Sequence, residues 1–405
     1  MKIRWRLATL CCGILLILAM SAPVHAAGTG VYEQYDNTRV IYGYAEDGSI
    51  YIPVGEIWRQ FGRPLSFDAK ERKASFVTDQ GAVSLELRSD AADVDGKSVA
   101  LSRPLKIIQD KIYVPVRDAA KLLGVNFKSL DPDRLELLLD DRKLLVHVKP
   151  ITSAYLYQPK KIHVLMYHHF HTERSDSTTV TADRFREHLD ALIRAGYETI
   201  TEEDLYQFKI DPDYRLPRKP LLITIDDGYE NNYEIAYPIL KEKGLRATIY
   251  VITSYRGQKP GVNLHFGWEK AREMYDSGVI NIESHTHNLH YYKTPGRRSG
   301  AAILARLDGE DEKAYRSRIL EDLKTSRDLI REHLGKESIS LAYPYGIYDQ
   351  TVLDLARQAG FKLHVTIREG ANVRDGKLLI NRFNADGRYT GEQLVRLLNG
   401  NRRKI

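Results

Sequence analysis

The chain has 405 residues, of which 43% are hydrophobic and 28% are charged, and its formal net charge is +6 at pH 7. This length predicts two or three domains that each bury a core, and the composition excludes an intrinsically disordered protein. The weak positive charge comes without a basic run or a recognisable reader motif, so we expect no nucleic acid among the partners.

The first 26 residues have the pattern of an export signal. Three basic residues precede an apolar run from Leu7 to Met20, and a small-x-small cleavage site ends at Ala26. The run is short for a membrane span, although an uncleaved anchor stays open as an alternative. We therefore expect a protein that is secreted or held at the cell surface after cleavage of the signal peptide (1–26) near Ala26.

Both cysteines, Cys11 and Cys12, lie within this signal. The mature protein would therefore have no thiol and no disulfide partner, and packing alone would hold its fold. Cleavage would also lower the formal net charge from +6 to +3, because the signal holds three basic and no acidic residues.

An internal repeat follows a polar segment, 27–47, that is predicted to be a linker because it lacks a clear period. The sequence IYIPV at 50–54 recurs as IYVPV at 112–116, and each copy leads into a helical stretch that ends at a glycine. Between the copies, Asp95-Gly96 is typical of a hairpin turn. The repeat predicts a small α+β module with pseudo-symmetry over residues 48–149.

This module resembles the copper amine oxidase-like N-terminal domain, a stalk module of exported bacterial proteins. The resemblance depends on the paired Pro-Val and Leu/Phe-Gly pattern, which ends here at Gly62 and Gly124. It implies spacing or docking to cell-envelope polymers, with an inert spacer as the equal alternative. It implies no copper, because the sequence of the module holds no cluster of metal ligands.

Residues 150–160 are predicted to connect this module to a larger domain, 161–405. The larger domain opens with an apolar run that ends at Tyr167-His168-His169. Further apolar runs alternate with amphipathic helical segments such as 182–195. Alternating strands and helices predict a parallel sheet covered by helices, and periodicity alone leaves a closed barrel and an open sheet as alternatives.

Two adjacent acids follow the apolar run 221–225, at Asp226 and Asp227, and Gly228 comes next. This pattern predicts a buried strand that ends in a tight loop. Because side chains alternate along a strand, the two carboxylates leave it in different directions. One could bind a metal ion while its neighbour handles a proton, although an Asp-Asp-Gly turn alone is more often a plain turn.

Candidate partners for these acids follow another apolar run, 279–282, at His285 and His290. Histidines five residues apart do not share one face of a helix, so we expect them on a loop after the strand. One carboxylate and two imidazoles can hold a divalent ion with coordination positions left for water and substrate. His287 lies between the two histidines and is interpreted as a loop residue.

Together these stretches resemble the polysaccharide deacetylase family, also called the NodB-homology or family 4 carbohydrate esterases. The family shows Thr-Phe-Asp-Asp-Gly, then His-Ser/Thr and a second histidine, and this chain has Ile225 in place of the phenylalanine. The spacing of the histidines and the Tyr167-His168 pair resemble the circularly permuted branch that deacetylates poly-N-acetylglucosamine. The resemblance covers roughly the last 240 residues and implies a distorted (β/α) barrel.

The resemblance implies a metal site formed by Asp227, His285 and His290. The ion would be a single divalent metal, zinc first, with cobalt, nickel, manganese or iron as alternatives because this ligand set is permissive. Such an ion lowers the pKa of water toward neutrality.

The same resemblance implies the other catalytic roles. Asp226 would take a proton as general base, and His168, rather than His169, would protonate the departing amine. The backbone N–H of Tyr345 would stabilise the oxyanion. Arg382 resembles an arginine that the permuted branch supplies from a late strand to orient the base, and an exposed ion pair is the equal alternative.

Two features depart from the family pattern. Ala342 stands where members with the usual order often carry that arginine, and the family's Asp…Trp motif is missing. The implied function is a secreted metal-dependent polysaccharide deacetylase that releases acetate from N-acetylglucosamine polymers, in a biofilm matrix or in peptidoglycan. A glycan-binding protein that retains the metal site with weak catalysis and a metal-dependent phosphoester hydrolase remain as alternatives.

Overall fold

The structure is a computed structural model that describes residues 35–37, 39–68, 73–79, 81–86, 89–108 and 111–400. The predicted signal peptide and both cysteines lie outside the described residues. In the described part of the chain, no helix has both the length and the apolar character needed to cross a bilayer.

The amino-terminal module is rich in β-structure. Its strands are β1 (Ile41–Glu46), β2 (Ser49–Pro53), β3 (Leu65–Asp68), β4 (Lys73–Thr78), β5 (Gly81–Glu86), β6 (Ala91–Val94), β7 (Lys97–Ala100), β8 (Lys106–Ile108), β9 (Lys111–Pro115), β10 (Asn126–Asp131), β11 (Arg134–Leu139) and β12 (Arg142–Pro150), and its helices are α1 (Val54–Gln60) and α2 (Val116–Leu123). One sheet has the order β10-β11-β12-β1-β2-β9-β8, and a second sheet runs from β3 to β7 in chain order.

The two copies of the repeat pair with each other in the larger sheet. Strands β2 and β9 are antiparallel, with Ile52 opposite Val114, so the copies are related by a local two-fold arrangement. In each copy a proline ends the strand and a helix follows at once. Helix α2 ends at Gly124, whose φ of 68° is a left-handed conformation that glycine adopts without steric cost.

Strand β1 falls within the segment that the sequence predicts as a linker, 27–47. The strand lies in the middle of the larger sheet, parallel to β12 and antiparallel to β2. The predicted connector 150–160 also packs against the larger domain, because the Tyr155 hydroxyl donates to Asp204 at 2.7 Å. Both segments are therefore part of packed structure over these residues, and polar composition alone did not reveal the strand.

The larger domain alternates short strands with helices. Its strands are β13 (Lys161–Tyr167), β14 (His169–His171), β15 (Thr179–Thr181), β16 (Glu198–Thr199), β17 (Pro220–Ile225), β18 (Ala247–Val251), β19 (Ile280–Ser284), β20 (Ser340–Ala342), β21 (Leu363–Val365), β22 (Asn372–Val373), β23 (Leu379–Ile380) and β24 (Phe383–Asn384), and its helices are α3 (Ala182–Arg194), α4 (Glu202–Ile210), α5 (Tyr237–Glu242), α6 (Trp268–Asp276), α7 (Glu312–Leu334), α8 (Gln350–Gln358) and α9 (Gly391–Leu398).

The parallel strands of this domain form a nearly closed barrel. Their order is β13-β17-β18-β19-β20-β21-β23, so most neighbours in space follow each other along the chain. The apolar pattern over residues 378–382 predicts one strand, but only residues 379–380 form a strand there, β23, and the next strand, β24, begins after this range. Strand β23 pairs with β21, and β24 pairs with β13 on the opposite side, which nearly closes the sheet.

The strands of the barrel are buried on both faces, which explains why their sequences are continuous apolar runs. All six residues of β17 are buried, as expected where helices cover one face of a parallel sheet and the barrel interior fills the other. The carboxyl ends of the strands lie at the same end of the barrel. Asp226 follows β17, His285 follows β19 and Tyr345 follows β20, so the fold brings these residues to one end.

Candidate active site

Asp226 is held by a buried arginine at the carboxyl end of β17. The Arg382 guanidinium donates two hydrogen bonds to the carboxylate, Nη1 to Oδ1 at 2.6 Å and Nη2 to Oδ2 at 2.7 Å. Arg382 also donates to the Thr224 hydroxyl and to the Thr366 carbonyl. Burial raises the pKa of the Asp226 carboxyl, but the guanidinium outweighs burial and holds that pKa well below its usual range.

Asp227 faces two imidazoles instead. Its Oδ1 atom lies 3.5 Å from Nε2 of His285 and 3.3 Å from Nε2 of His290, and the three candidate ligand atoms all lie within 4.8 Å of one another. Oδ1 is buried and has no hydrogen-bond partner in the described structure. A buried carboxylate oxygen without a partner is costly, so the residues fit a cation between them.

The orientation of His285 is fixed from behind. Its Nδ1 atom lies 2.7 Å from the Ala342 carbonyl oxygen, which can only accept, so Nδ1 carries the proton. The Nε2 lone pair therefore faces Asp227, in the arrangement usual for metal-binding histidines. Burial, with a smaller contribution from His290, lowers the pKa of His285 to about 4, so this imidazole is neutral at neutral pH.

The backbone is left-handed at three positions in the site. Asp227, Thr286 and Tyr345 have φ values of 73°, 74° and 57°, which is uncommon for residues with a side chain. Outliers of this kind cluster at functional sites, where the surrounding structure holds them in place. Here they lie in the loops after β17, β19 and β20, where the chain turns sharply.

His168 lies on the other side of Asp226. Its Nε2 atom is 3.7 Å from Oδ2 of Asp226, and its Nδ1 atom is buried without a hydrogen-bond partner among the described residues. The Asn232 amide donates to the His168 carbonyl at 2.9 Å, which ties the end of β13 to the helical turn after β17. His169 instead lies 2.7 Å from the side-chain amide of Asn231.

A cleft of about 600 Å³ joins these residues, and its lining includes His168, Asp226, Asp227, His290 and Tyr345. The Tyr345 ring packs against the His290 imidazole, with centroids 4.5 Å apart, and is partly exposed at the cleft. All seven site residues predicted from the sequence therefore lie at one end of the barrel, with Arg382 behind Asp226.

Two further histidines of the barrel, one of them His287, which the sequence predicts to be a loop residue, have other partners. His287 directs Nδ1 to the Thr253 hydroxyl at 2.9 Å, and the Tyr343 hydroxyl lies 2.9 Å from Nδ1 of buried His364. Arg256, whose guanidinium contacts the main chain behind Asp227, is a site residue that was not predicted from the sequence. Its partners are backbone carbonyl groups, which every residue has, so no pattern of side chains in the sequence points to this arginine.

Comparison with known proteins agrees with this geometry. YxkH of Bacillus subtilis strain 168, a protein assigned by name to the polysaccharide deacetylases, is 31% identical to this chain over 226 residues, which cover 55% of the chain and 71% of YxkH. This chain belongs to the polysaccharide deacetylase family. The sequence model of that family matches residues 213–364 of the deacetylase domain.

Two other proteins with deacetylase names are similar to this chain over the barrel domain. The poly-β-1,6-N-acetyl-D-glucosamine N-deacetylase of Staphylococcus aureus strain MSSA476 is 31% identical over 158 residues, 39% of this chain and 51% of that enzyme. The solved structure of a de-N-acetylase from Aggregatibacter actinomycetemcomitans covers 59% of this chain and 100% of its own, with a TM-score of 0.53 and 23% identity. This deacetylase-family protein therefore shares the barrel fold of that enzyme.

The module in front of the deacetylase barrel has a match of its own. The copper amine oxidase N-terminal domain matches residues 33–133. This range contains the repeat around Ile52 and Val114, so the resemblance inferred from the repeated motif is confirmed. The candidate metal-binding cluster found among the described residues, Asp227, His285 and His290, lies in the barrel and not in this module.

Proposed function

We propose that this protein is a metal-dependent polysaccharide N-deacetylase that hydrolyses the N-acetyl groups of N-acetylglucosamine polymers to free amines and acetate. The observation that supports this proposal best is the pairing of two unlike aspartates. One carboxylate faces two imidazole nitrogens, and its neighbour is held by a guanidinium next to a third histidine.

Asp227, His285 and His290 would hold one divalent ion, with zinc as the first expectation and cobalt, nickel, manganese or iron as alternatives. When bound, such an ion polarises the acetamide carbonyl and lowers the pKa of water to near neutrality. The His285 ring is already oriented for this role by its bond to the Ala342 carbonyl, so little reorganisation is needed.

Asp226 would be the general base. Its low pKa keeps the carboxylate ionised at neutral pH, and the two bonds from Arg382 fix the plane of the group. Each carboxylate oxygen retains a further lone pair, so Oδ2, which faces His168, can accept a proton from the attacking water. Arg382 would therefore orient the base without taking part in proton transfer.

His168 would be the general acid. Its Nε2 atom faces the same part of the cleft as Asp226 Oδ2, where the departing amine would need a proton. The backbone N–H of Tyr345 would donate to the developing oxyanion, by resemblance to the family. The left-handed φ of 57° at Tyr345 sets the direction of that peptide group.

The substrate and location follow from the relatives and the sequence. The Staphylococcus aureus relatives are named for poly-β-1,6-N-acetylglucosamine, which makes this polymer the first candidate and peptidoglycan glycan the second. The signal at 1–26 supports secretion or attachment to the cell surface. The module at 48–149 would space the barrel, 161–405, from the envelope or dock it to envelope polymers.

Acetate release from soluble β-1,6 and β-1,4 N-acetylglucosamine oligomers tests the proposal directly. We expect release from one linkage series, loss of release after treatment with a chelator, and recovery when zinc or cobalt is restored. Binding of both series without any acetate release under these metals would instead support a glycan-binding protein and contradict the proposal.

A further inference from the structure

Arg256 is a buried cation that the proposed reaction does not use. The residue is only 7% exposed, and none of its hydrogen bonds within the described residues goes to a carboxylate. Its guanidinium instead donates to four backbone carbonyl oxygens, those of Asp227 at 3.0 Å, Gly228 at 3.0 Å, Ile252 at 3.2 Å and Phe266 at 3.1 Å. The side chain also packs over the Phe266 ring, 4.5 Å from its centroid.

A buried charge without an ion-pair partner is costly, so its retention needs a reason. Burial lowers the pKa of the Arg256 guanidinium to about 9, although the nearby Asp227 carboxylate opposes this shift. The hydrogen bonds join the turn after β17 to the end of β18 and to Phe266. Arg256 thus fixes the position of the turn that carries Asp227.

That turn is unfavourable by itself. Asp227 and Gly228 both have φ values of 73°, in the left-handed region. The guanidinium occupies the space where a side chain at position 228 would lie, because an added Cβ there would be 2.6 Å from Nη1 of Arg256. Glycine at position 228 therefore leaves room for the Arg256 guanidinium, which donates to the backbone carbonyls of this turn.

We propose that Arg256 is a positioning residue for the metal site, and this inference rests on the proposed function. It holds the main chain of Asp227 through the carbonyl oxygen and leaves the carboxylate free to face His285 and His290. Arg382 does the opposite for Asp226, because it binds the carboxylate itself. Arg256 therefore orients Asp227, a proposed metal ligand, without pairing with the charge of its carboxylate.

The test is zinc affinity of the full chain, measured by competition with a chromophoric chelator, for wild type and Arg256→Lys. Lysine keeps the charge but cannot reproduce the fixed fork of donors. We expect the variant to bind zinc about 10- to 100-fold more weakly, as when residues that orient metal ligands are replaced. Arg374→Lys is the matched control, because Arg374 also donates to backbone carbonyls, those of Asp211 and Tyr214, and packs over Phe208 at 4.4 Å.

We expect Arg374→Lys to keep wild-type zinc affinity even if thermal unfolding shows that it loses as much stability as Arg256→Lys. If Arg256→Lys does not unfold cooperatively, Arg256→Gln replaces it, because glutamine keeps an N–H donor for the backbone carbonyls and removes the buried charge. Zinc binding by a folded variant within about threefold of wild type, well below the usual loss, would overturn the inference. A wild-type chain that binds no divalent metal would overturn the proposed function itself.

Discussion

Asp226 and Asp227 are adjacent in the chain, but their carboxylates have different partners. Asp226 is neutralised by the fixed cation of Arg382, whereas Asp227 faces two imidazoles and keeps a buried oxygen without a hydrogen bond. Burial raises the pKa of both carboxyl groups, but the Arg382 guanidinium lowers that of Asp226 and the nearby imidazoles, His290 first, lower that of Asp227, so both pKa values lie below their usual range. One half of the site is therefore complete within the protein, and the other half fits an added cation.

The largest effect is expected from breaking the half that faces the cation. His285→Gln removes an imidazole nitrogen that faces Asp227 and disrupts the bond to the Ala342 carbonyl. We expect zinc affinity to fall by more than about 100-fold, beyond the loss seen when only an orienting partner is removed, and turnover to fall to background. Metal analysis of the purified variant checks this, and a full metal complement would contradict the assignment.

Breaking the other half should reduce stability as well as turnover. Arg382→Met leaves the Asp226 carboxylate buried without its partner, which we expect to cost about 3–5 kcal/mol of unfolding free energy. Arg382→Lys keeps the charge without the two-pronged geometry and should be intermediate. Denaturant unfolding at neutral pH measures both variants, and equal stability of wild type and Arg382→Met would show that the pair is not needed for the fold.

The pH dependence of this loss sharpens the comparison. The folded-state pKa of Asp226 is depressed, so the pair's contribution to stability is complete above the unfolded-state pKa of about 3.9 and is lost as the pH falls further through the folded-state value. Without Arg382, burial is unopposed and raises the folded-state pKa of Asp226, so the stability difference between wild type and Arg382→Met should begin to shrink as the pH falls through that raised value and continue to shrink below pH about 4. A difference that stays constant from neutral pH into this acid range would argue against an ionised Asp226.

Removing the proposed acid should affect turnover without affecting the metal. His168→Gln should lower kcat by about 10²–10⁴-fold, the usual contribution of a positioned acid or base, and retain zinc. His169→Gln is the natural control, because His169 is turned to Asn231 and should have a smaller effect. If the two variants lost equal activity, the choice of His168 as general acid would be wrong.

The smallest effect is expected at His287. In the sequence this residue lies between His285 and His290, the two histidines whose side chains face Asp227. Its ring is directed to the Thr253 hydroxyl rather than to Asp227. We expect His287→Gln to bind zinc within about threefold of wild type, since no metal-binding nitrogen is removed. A loss as large as that of His285→Gln would mean that the loop holds the ion differently.

Much of the site could be predicted because its signals are local in sequence. Two apolar runs in the sequence each end in polar residues, one at Asp226 and Asp227 and the other just before His285. Each therefore places polar side chains where a strand ends. The parallel fold then brings these ends together. Arg382 was expected only from the family resemblance, since it reaches Asp226 across 156 residues of chain.

Other features left no such signal. Strand β1 was missed because its burial does not alternate regularly and it includes Gly43, where an added Cβ would be 3.1 Å from the Tyr51 carbonyl oxygen. The nearly closed barrel depends on residues 379–384 changing partner from β21 to β13, which periodicity cannot show. Arg256 binds carbonyl groups, so only the folded main chain reveals its partners.

The most direct test of the account is metal content and acetate release measured together for Asp226→Asn and Asp227→Asn. The account predicts that Asp226→Asn keeps its metal and loses turnover, whereas Asp227→Asn loses both. Loss of metal from Asp226→Asn, or a full metal complement in Asp227→Asn, would contradict the division of roles between the two adjacent aspartates.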